Sequence, residues 1–181
     1  MEFHNTFAIT MKNESAATTA YGIIKNRIEL GFESDNEYRK SPSVQMASSL
    51  RVSGNTIYVP EGMSFYTVTD IEEVFIELLK HLAGQLSTEV FTFQAVNTST
   101  YDGSKITACY DSDTLRIKSV YAPYGNDVCM YCPECGEYEV PFENYEEGKM
   151  HTCPKCGEEV DWDAEYADQK PTVEEYSYKI A

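Results

Sequence analysis

Two copies of one five-residue motif, C-P-x-C-G, constrain the fold of this chain more than any other feature. The copies span residues 132–136 and 153–157, and 17 residues separate the second cysteine of the first copy from the first cysteine of the second. Each C-x-x-C turn presents two sulfur atoms to one metal ion, and the glycine that follows allows the backbone turn that closes the loop. The spacing therefore predicts a single structural Zn²⁺ ion bound by four thiolates, those of Cys132, Cys135, Cys153 and Cys156.

The paired motifs resemble the two metal-binding turns, or knuckles, of zinc-ribbon proteins, and the resemblance covers about residues 129–162. It implies a small metal-stabilised hairpin unit but no particular activity, because zinc ribbons are attached to proteins of many functions. A closed four-cysteine site also leaves no coordination position for water or substrate, which indicates a structural metal. Cys129 and His151 lie close enough in sequence to replace one of the four ligands, so that alternative stays open.

Alternating apolar and polar residues predict the strands, which fall at residues 3–11, 43–53, 56–60, 88–96, 106–110 and 114–121. Two amphipathic stretches between them predict helices. The first begins at a cap of Asn13 or Ser15 and ends near Leu30, and the second begins at a capping box of Thr69 and Glu72 and ends near Gly84. The order β-α-β-β-α-β, with added strands, resembles the ferredoxin-like split βαβ arrangement, in which two helices cover one face of an antiparallel sheet.

These elements predict an α+β protein of three parts. Residues 1–124 form the ferredoxin-like domain, and residues 125–165 form the zinc ribbon, whose first hairpin strand is predicted at residues 138–142. Residues 166–181 form an acidic and aromatic tail whose alternation predicts one more strand at a sheet edge. The same alternation would also allow two copies of the chain to pair, so a homodimer is a further expectation.

Charge is distributed unevenly along the chain. The sequence has 30 acidic and 14 basic residues, a net charge of −16, and residues 125–181 hold 15 of the acids but only 4 of the bases. Affinity for nucleic-acid phosphates is built from Lys and Arg, so this composition argues against direct nucleic-acid binding. No apolar run reaches the length of a signal peptide or a membrane span, and cysteines committed to metal suit a reducing compartment. We therefore predict a cytoplasmic location and no membrane partner.

Catalytic motifs are missing from the sequence. It contains no phosphate-binding loop, dinucleotide fingerprint, metalloprotease helix or nucleophile elbow, and its three histidines form no recognisable relation with a nucleophile. The sequence therefore predicts no catalytic residues and no enzyme. The alternative is an enzyme that uses unrecognised carboxylates such as Glu72, Glu73 and Glu77, which would require a cleft that strongly perturbs the pKa of one of them.

The acidic residues of the ribbon stand among tyrosines and one tryptophan, a combination suited to binding a basic protein. In size, charge and lack of enzymatic motifs the chain resembles the anti-CRISPR inhibitors that phages and mobile elements use against RNA-guided nucleases. The resemblance implies a bacterial cell as the setting and a guide-loaded nuclease as the partner, with carboxylates replacing DNA phosphates. The alternative is a zinc-ribbon adaptor that docks on a component of transcription or translation. The predicted partner-binding residues are Glu134, Glu137, Glu139, Glu143, Glu146, Glu147, Glu158, Glu159, Asp161, Trp162 and Asp163.

Overall fold

A computed structural model describes residues 4–30, 49–60, 68–87, 89–98, 103–122, 127–141, 144, 149–161 and 171–180. These residues form two helices, α1 (Glu14–Leu30) and α2 (Val68–Gln85). They also form eleven strands: β1 (His4–Met11), β2 (Arg51–Ser53), β3 (Thr56–Val59), β4 (Phe91–Thr98), β5 (Gly103–Asp111), β6 (Thr114–Ala122), β7 (Asp127–Cys132), β8 (Gly136–Pro141), β9 (Met150–Thr152), β10 (Glu159–Asp161) and β11 (Thr172–Lys179). The protein is thus of mixed α+β type, and neither described helix has the length and apolar character needed to cross a membrane.

Seven strands form one sheet in the order β11-β6-β5-β4-β1-β3-β2, and every neighbouring pair is antiparallel. The strand β3 lies between β1 and β2, although β2 precedes β3 along the chain. The predicted hairpin is present, with Gly54 at a φ of 56° in its turn. The part of that prediction covering residues 43–48 falls outside the described residues.

Both helices pack on one face of this sheet. The N–H of Ala16 donates to Oδ1 of Asn13 over 2.9 Å, which confirms Asn13 as the cap of α1. The buried side of α1 consists of Ala16, Ala17, Ala20, Ile24 and Ile28. Alternate sheet residues, among them Phe7, Ile9, Phe93 and Ile117, join the helices in one continuous core. The opposite face of the sheet, called the open face below, carries the intervening residues.

The C-terminal strand completes this sheet. Tyr176 and Tyr178 of β11 lie opposite Ile117 and Leu115 of β6 and pack against the helix-covered core. Nζ of Lys80, on α2, lies 3.6 Å from the centre of the Tyr178 ring. The chain therefore leaves the sheet after β6 and returns beside it as β11, with strands β7–β10 inserted between these two neighbours.

Two local predictions were wrong. The helix α2 begins at Val68, so Thr69 lies inside the helix and is not its N-cap. Glu72 faces β6 and β11, where Ser119 and Tyr176 lie within its hydrogen-bonding reach. The first strand of the ribbon hairpin is β7, and the segment predicted for that role is its second strand, β8. The prediction started the hairpin with the strand that follows the first knuckle. The knuckle is itself the turn of the hairpin, so the strand that precedes it, β7, comes first.

Glu72 is held in an acidic cluster between α2 and β11. Its Oε1 atom is buried and accepts no hydrogen bond from any residue that the structure describes, while the hydroxyl of Tyr176 donates to the carboxylate of Glu174 beside it. Burial raises the pKa of Glu72 above its ordinary value of 4.5, and the nearby charges of Glu174 and Glu73 raise it further; the neighbouring hydroxyls of Tyr176 and Ser119 oppose this rise. Ionised Glu72 thus costs stability above its folded-state pKa, and the cost fades as the pH falls through that pKa toward 4.5.

Replacing Glu72 by Gln is therefore expected to stabilise the protein at pH 7 and to have little effect near pH 4. The amide carries no charge and can donate to the Glu174 carboxylate. Urea unfolding midpoints measured from pH 4 to pH 8 test this expectation. Glu73→Gln, at an exposed neighbouring position on α2, serves as the control. An equal gain from both variants, or a gain that does not change with pH, would contradict the role given to burial.

Candidate metal centre

The two cysteine motifs form two turns of matching geometry. Strands β7 and β8 make an antiparallel hairpin whose turn is the first knuckle, with Cys132 opposite Gly136. The second knuckle lies between β9 and β10, where the N–H of Cys153 donates to the carbonyl of Glu158 over 2.7 Å. Gly136 and Gly157 close the turns at φ values of 78° and 80°. Side chains rarely adopt this left-handed conformation, which explains why glycine follows each C-x-x-C pair.

The four cysteines lie together in a group of metal-binding dimensions. Their Sγ atoms all lie within 4.8 Å of one another, and those of Cys132 and Cys156 are 3.6 Å apart. A tetrahedral zinc site with Zn–S bonds of about 2.3 Å places neighbouring sulfurs about 3.8 Å apart. A disulfide would require a separation of about 2 Å, and all four residues are free thiols. The arrangement therefore fits a shared divalent cation and excludes a disulfide between Cys132 and Cys156.

The crowded thiols differ in acidity. Hydrogen bonding to Cys156, with burial and the neighbouring sulfurs, raises the pKa of Cys135 to about 12. Burial opposes ionisation of Cys153, but backbone N–H groups of Cys156 and Lys155 outweigh it and lower the pKa of Cys153 to about 7. Four sulfurs in this space cannot all become thiolates without a cation to neutralise them. Metal binding would displace the remaining protons.

A second, smaller core attaches the cysteine motifs to the sheet. Cys132 and Cys153 are buried beside Met130, Tyr138, Val140 and Val160. Val120 of β6 belongs to the same cluster, and Val96 and Val173 pack against it from β4 and β11. These three valines share one row of the open face, on the side of the sheet away from the helices. The ribbon therefore sits on the open face, which the alternation along single strands did not reveal.

His151 is placed beside the metal centre and not within it. Its Nδ1 atom lies 3.4 Å from the hydroxyl of Tyr138, and the two rings are 5.9 Å apart. Of the residues that the structure describes, the metal-binding group contains the four predicted cysteines alone. Cys129 pairs with Glu139 in the hairpin register. The side chain of Cys129 falls outside the described part, so its role as an alternative ligand stays a prediction.

Six acidic residues of the predicted partner-binding set are described by the structure, and all of them face outward. On β8, Glu137 and Glu139 are exposed and flank buried Tyr138, and on β10, Glu159 and Asp161 flank buried Val160. The remaining described acids of the predicted partner-binding set are likewise exposed: Glu134 in the first knuckle and Glu158 after the second. The other predicted members lie outside the described residues; they are Glu143, Glu146, Glu147, Trp162 and Asp163.

No protein-family model, curated protein or solved structure matches the chain. Two of the candidate catalytic carboxylates, Glu77 and Glu72, contact residues of other elements. Glu77 pairs with Arg27 and thereby joins α2 to α1, while Glu72 lies in the cluster with Tyr176. The absence of catalysis stays a prediction.

Proposed function

We propose that this protein is an acidic interaction module whose zinc ribbon presents carboxylates to a basic, nucleic-acid-binding protein. The observation that carries the proposal is the alternation on β8 and β10, where buried Tyr138 and Val160 are flanked by exposed acids. Rigid strands fixed by a metal hold these charges in a defined pattern, and a pattern of carboxylates can engage Lys and Arg side chains that normally contact phosphates. Zinc is the metal we propose, since four thiolates in a tetrahedral arrangement are its preferred structural ligands.

The proposed partner class is a guide-loaded RNA-guided nuclease, whose target-DNA channel is rich in Lys and Arg. In this proposal the ribbon occupies part of that channel and blocks target binding, as an anti-CRISPR inhibitor would. We also propose that the sheet belongs to the ferredoxin-like class. The neighbour order β4-β1-β3-β2 and the two helices on one face support that assignment.

Binding of the zinc-loaded chain to such a nuclease is expected to weaken steeply with salt and to compete with target DNA. The double variant Glu137→Lys/Glu139→Lys is expected to reduce affinity at least about tenfold at low ionic strength, because it places like charges against the partner. The matched control, Glu29→Lys/Glu73→Lys, makes the same change of net charge on exposed helix positions and is expected to bind nearly as the parent does. Affinity can be measured by surface plasmon resonance at several salt concentrations.

Exposed apolar side chains on the ribbon favour a second candidate, an adaptor that docks on a transcription or translation component. Tyr131 is 38 % exposed and Met150 is 50 % exposed. A contact built on these side chains would resist salt and depend little on the acids of β8. Salt-independent capture of a polymerase or ribosomal protein, abolished by Tyr131→Ala, would favour this candidate over charge mimicry.

A further inference from the structure

The open face of the sheet differs in charge from the rest of the protein. Strand alternation and register place five cationic side chains on this face, those of Arg51, Lys105, Arg116, Lys118 and Lys179, against two carboxylates, Asp111 and Glu175, among its described residues. The chain as a whole carries a net charge of −16. This basic face is invisible in the composition because its residues come from strands far apart in the sequence.

A shallow cavity of about 610 Å³, wide open to solvent, lies on this face across β5, β6 and β11. That volume is in the range of small-molecule sites, which is about 300–1,000 Å³. Two cross-strand rows of side chains line it. In the first row Lys118 lies between Thr107 and Glu175, and in the second Arg116 lies between Cys109 and Ser177.

The two rows have different chemistry. Nζ of Lys118 lies 3.6 Å from a carboxylate oxygen of Glu175, so the first row is nearly neutral and offers both donors and acceptors. Arg116 is exposed and has no ion pair within the described part of the chain, and its row neighbours are a hydroxyl and a thiol. The second row is therefore positive and made of hydrogen-bond donors. A guanidinium, a hydroxyl and a thiol match the three acceptor oxygens of a phosphate monoester better than the two of a carboxylate.

We propose that this cavity binds a phosphate monoester of nucleotide size, in which a phosphate is joined to a hydroxylated body. The phosphate contacts Arg116, with Ser177 and Cys109 beside it. The hydroxylated body lies over the first row, where Glu175 accepts from a hydroxyl and Lys118 and Thr107 donate. Residues two positions apart along one strand are about 7 Å apart, so the two rows can contact different parts of one molecule of nucleotide size. The proposal is independent of the acidic ribbon and its partner.

Calorimetric titration of the zinc-loaded full chain with adenosine 5′-monophosphate tests the proposal. We expect saturable binding that weakens with salt, weaker binding of inorganic phosphate and none of adenosine. Arg116→Gln is expected to weaken binding of the monophosphate at least about tenfold, as loss of a charged hydrogen-bonding partner implies. Arg51→Gln removes an equal charge from the same face, on β2, which four strands separate from β6, and is expected to leave the affinity unchanged.

The Glu175→Gln variant distinguishes the contact with the hydroxylated body of the ligand from the contact with its phosphate. It is expected to weaken binding of the monophosphate, by removing the acceptor for its hydroxyl, while leaving or improving the affinity for inorganic phosphate. Absence of monophosphate binding at about 10 mM would overturn the proposal. Equal losses of affinity from Arg51→Gln and Arg116→Gln would also overturn it. So would tight binding of a twelve-residue oligothymidylate without binding of the monophosphate, because either result would indicate a diffuse surface for polyanions. Unchanged thermal unfolding midpoints of the variants establish that each effect is local.

Discussion

Removal of the metal is expected to unfold strands β7–β10 and to leave the seven-stranded sheet folded. The ribbon buries only a small cluster of side chains, two of which are its own cysteines, and a structural zinc ion typically contributes about 10–16 kcal/mol of binding free energy in such units. Cys132→Ser, which removes a fully buried sulfur, should act as a chelator does. The sheet loses only the cover over its three valines, on the order of 2 kcal/mol.

Hydrogen exchange followed by mass spectrometry distinguishes the two regions. Amides of strands β7–β10 should exchange rapidly after chelation, while those of β4 and β5 keep their protection. Cys109→Ser is the matched control, because this free cysteine lies on β5 apart from the metal-binding group, and it should leave one metal ion bound per chain. Equal loss of protection in β4 would show that ribbon and sheet unfold as one unit. Full protection of the ribbon without metal would refute the structural role of the four thiols.

Truncation of Phe75 to Ala is expected to cost about 3–5 kcal/mol of unfolding free energy, a large share of the stability of an ordinary domain. The ring is 2 % exposed and packs against Phe7 and Phe93 at centroid distances of 5.5 Å and 5.1 Å. Its loss leaves a cavity where α2 meets the centre of the sheet. The thermal midpoint should fall by about 10 °C.

Urea and thermal unfolding measure this cost, and Leu30→Ala provides the comparison. Leu30 is 75 % exposed at the end of α1, so its truncation should change the unfolding free energy by less than about 0.5 kcal/mol. Metal content of the folded Phe75→Ala protein should stay the same, because among the described residues the ribbon cluster and the core around Phe75 have no buried residue in common. Similar costs for the two variants would show that the aromatic cluster does not hold the fold together.

Local patterns predicted the elements whose signals lie within a few consecutive residues. Asn13 caps α1 because its side chain reaches an N–H three residues away. The knuckle glycines indicate turns with a backbone conformation that only glycine readily adopts. The capping box failed for the opposite reason. Glu72 could bond within its own helix or to another element. In the structure it contacts Ser119 and Tyr176, which are about 50 and 100 residues away in sequence.

The two candidate sites show the same difference between signals that are local in sequence and contacts that form only on folding. The metal ligands were predictable because two sulfurs of each pair are fixed by one turn, and only the meeting of the two turns required folding. The basic open face was not predictable, since Arg116 and Ser177 become neighbours only through the register of β6 and β11. An acidic composition concealed this face, because a sum over the chain contains no information about which side of a sheet a charge occupies.

Because the ribbon is inserted between β6 and β11, the metal affects the chain entropy that is lost when these two strands pair at the edge of the sheet. Pairing these strands closes a loop that contains β7–β10, and the cost of closing a flexible loop grows with its length, by about 0.6 kcal/mol for each doubling. When the ribbon is folded, β10 lies against β7, so the effective loop is shorter. Metal loss lengthens that loop and also uncovers Val173 of β11. Within the folded sheet, β11 and the half of the open-face cavity that it lines should therefore show the largest decrease in hydrogen-exchange protection when the metal is lost.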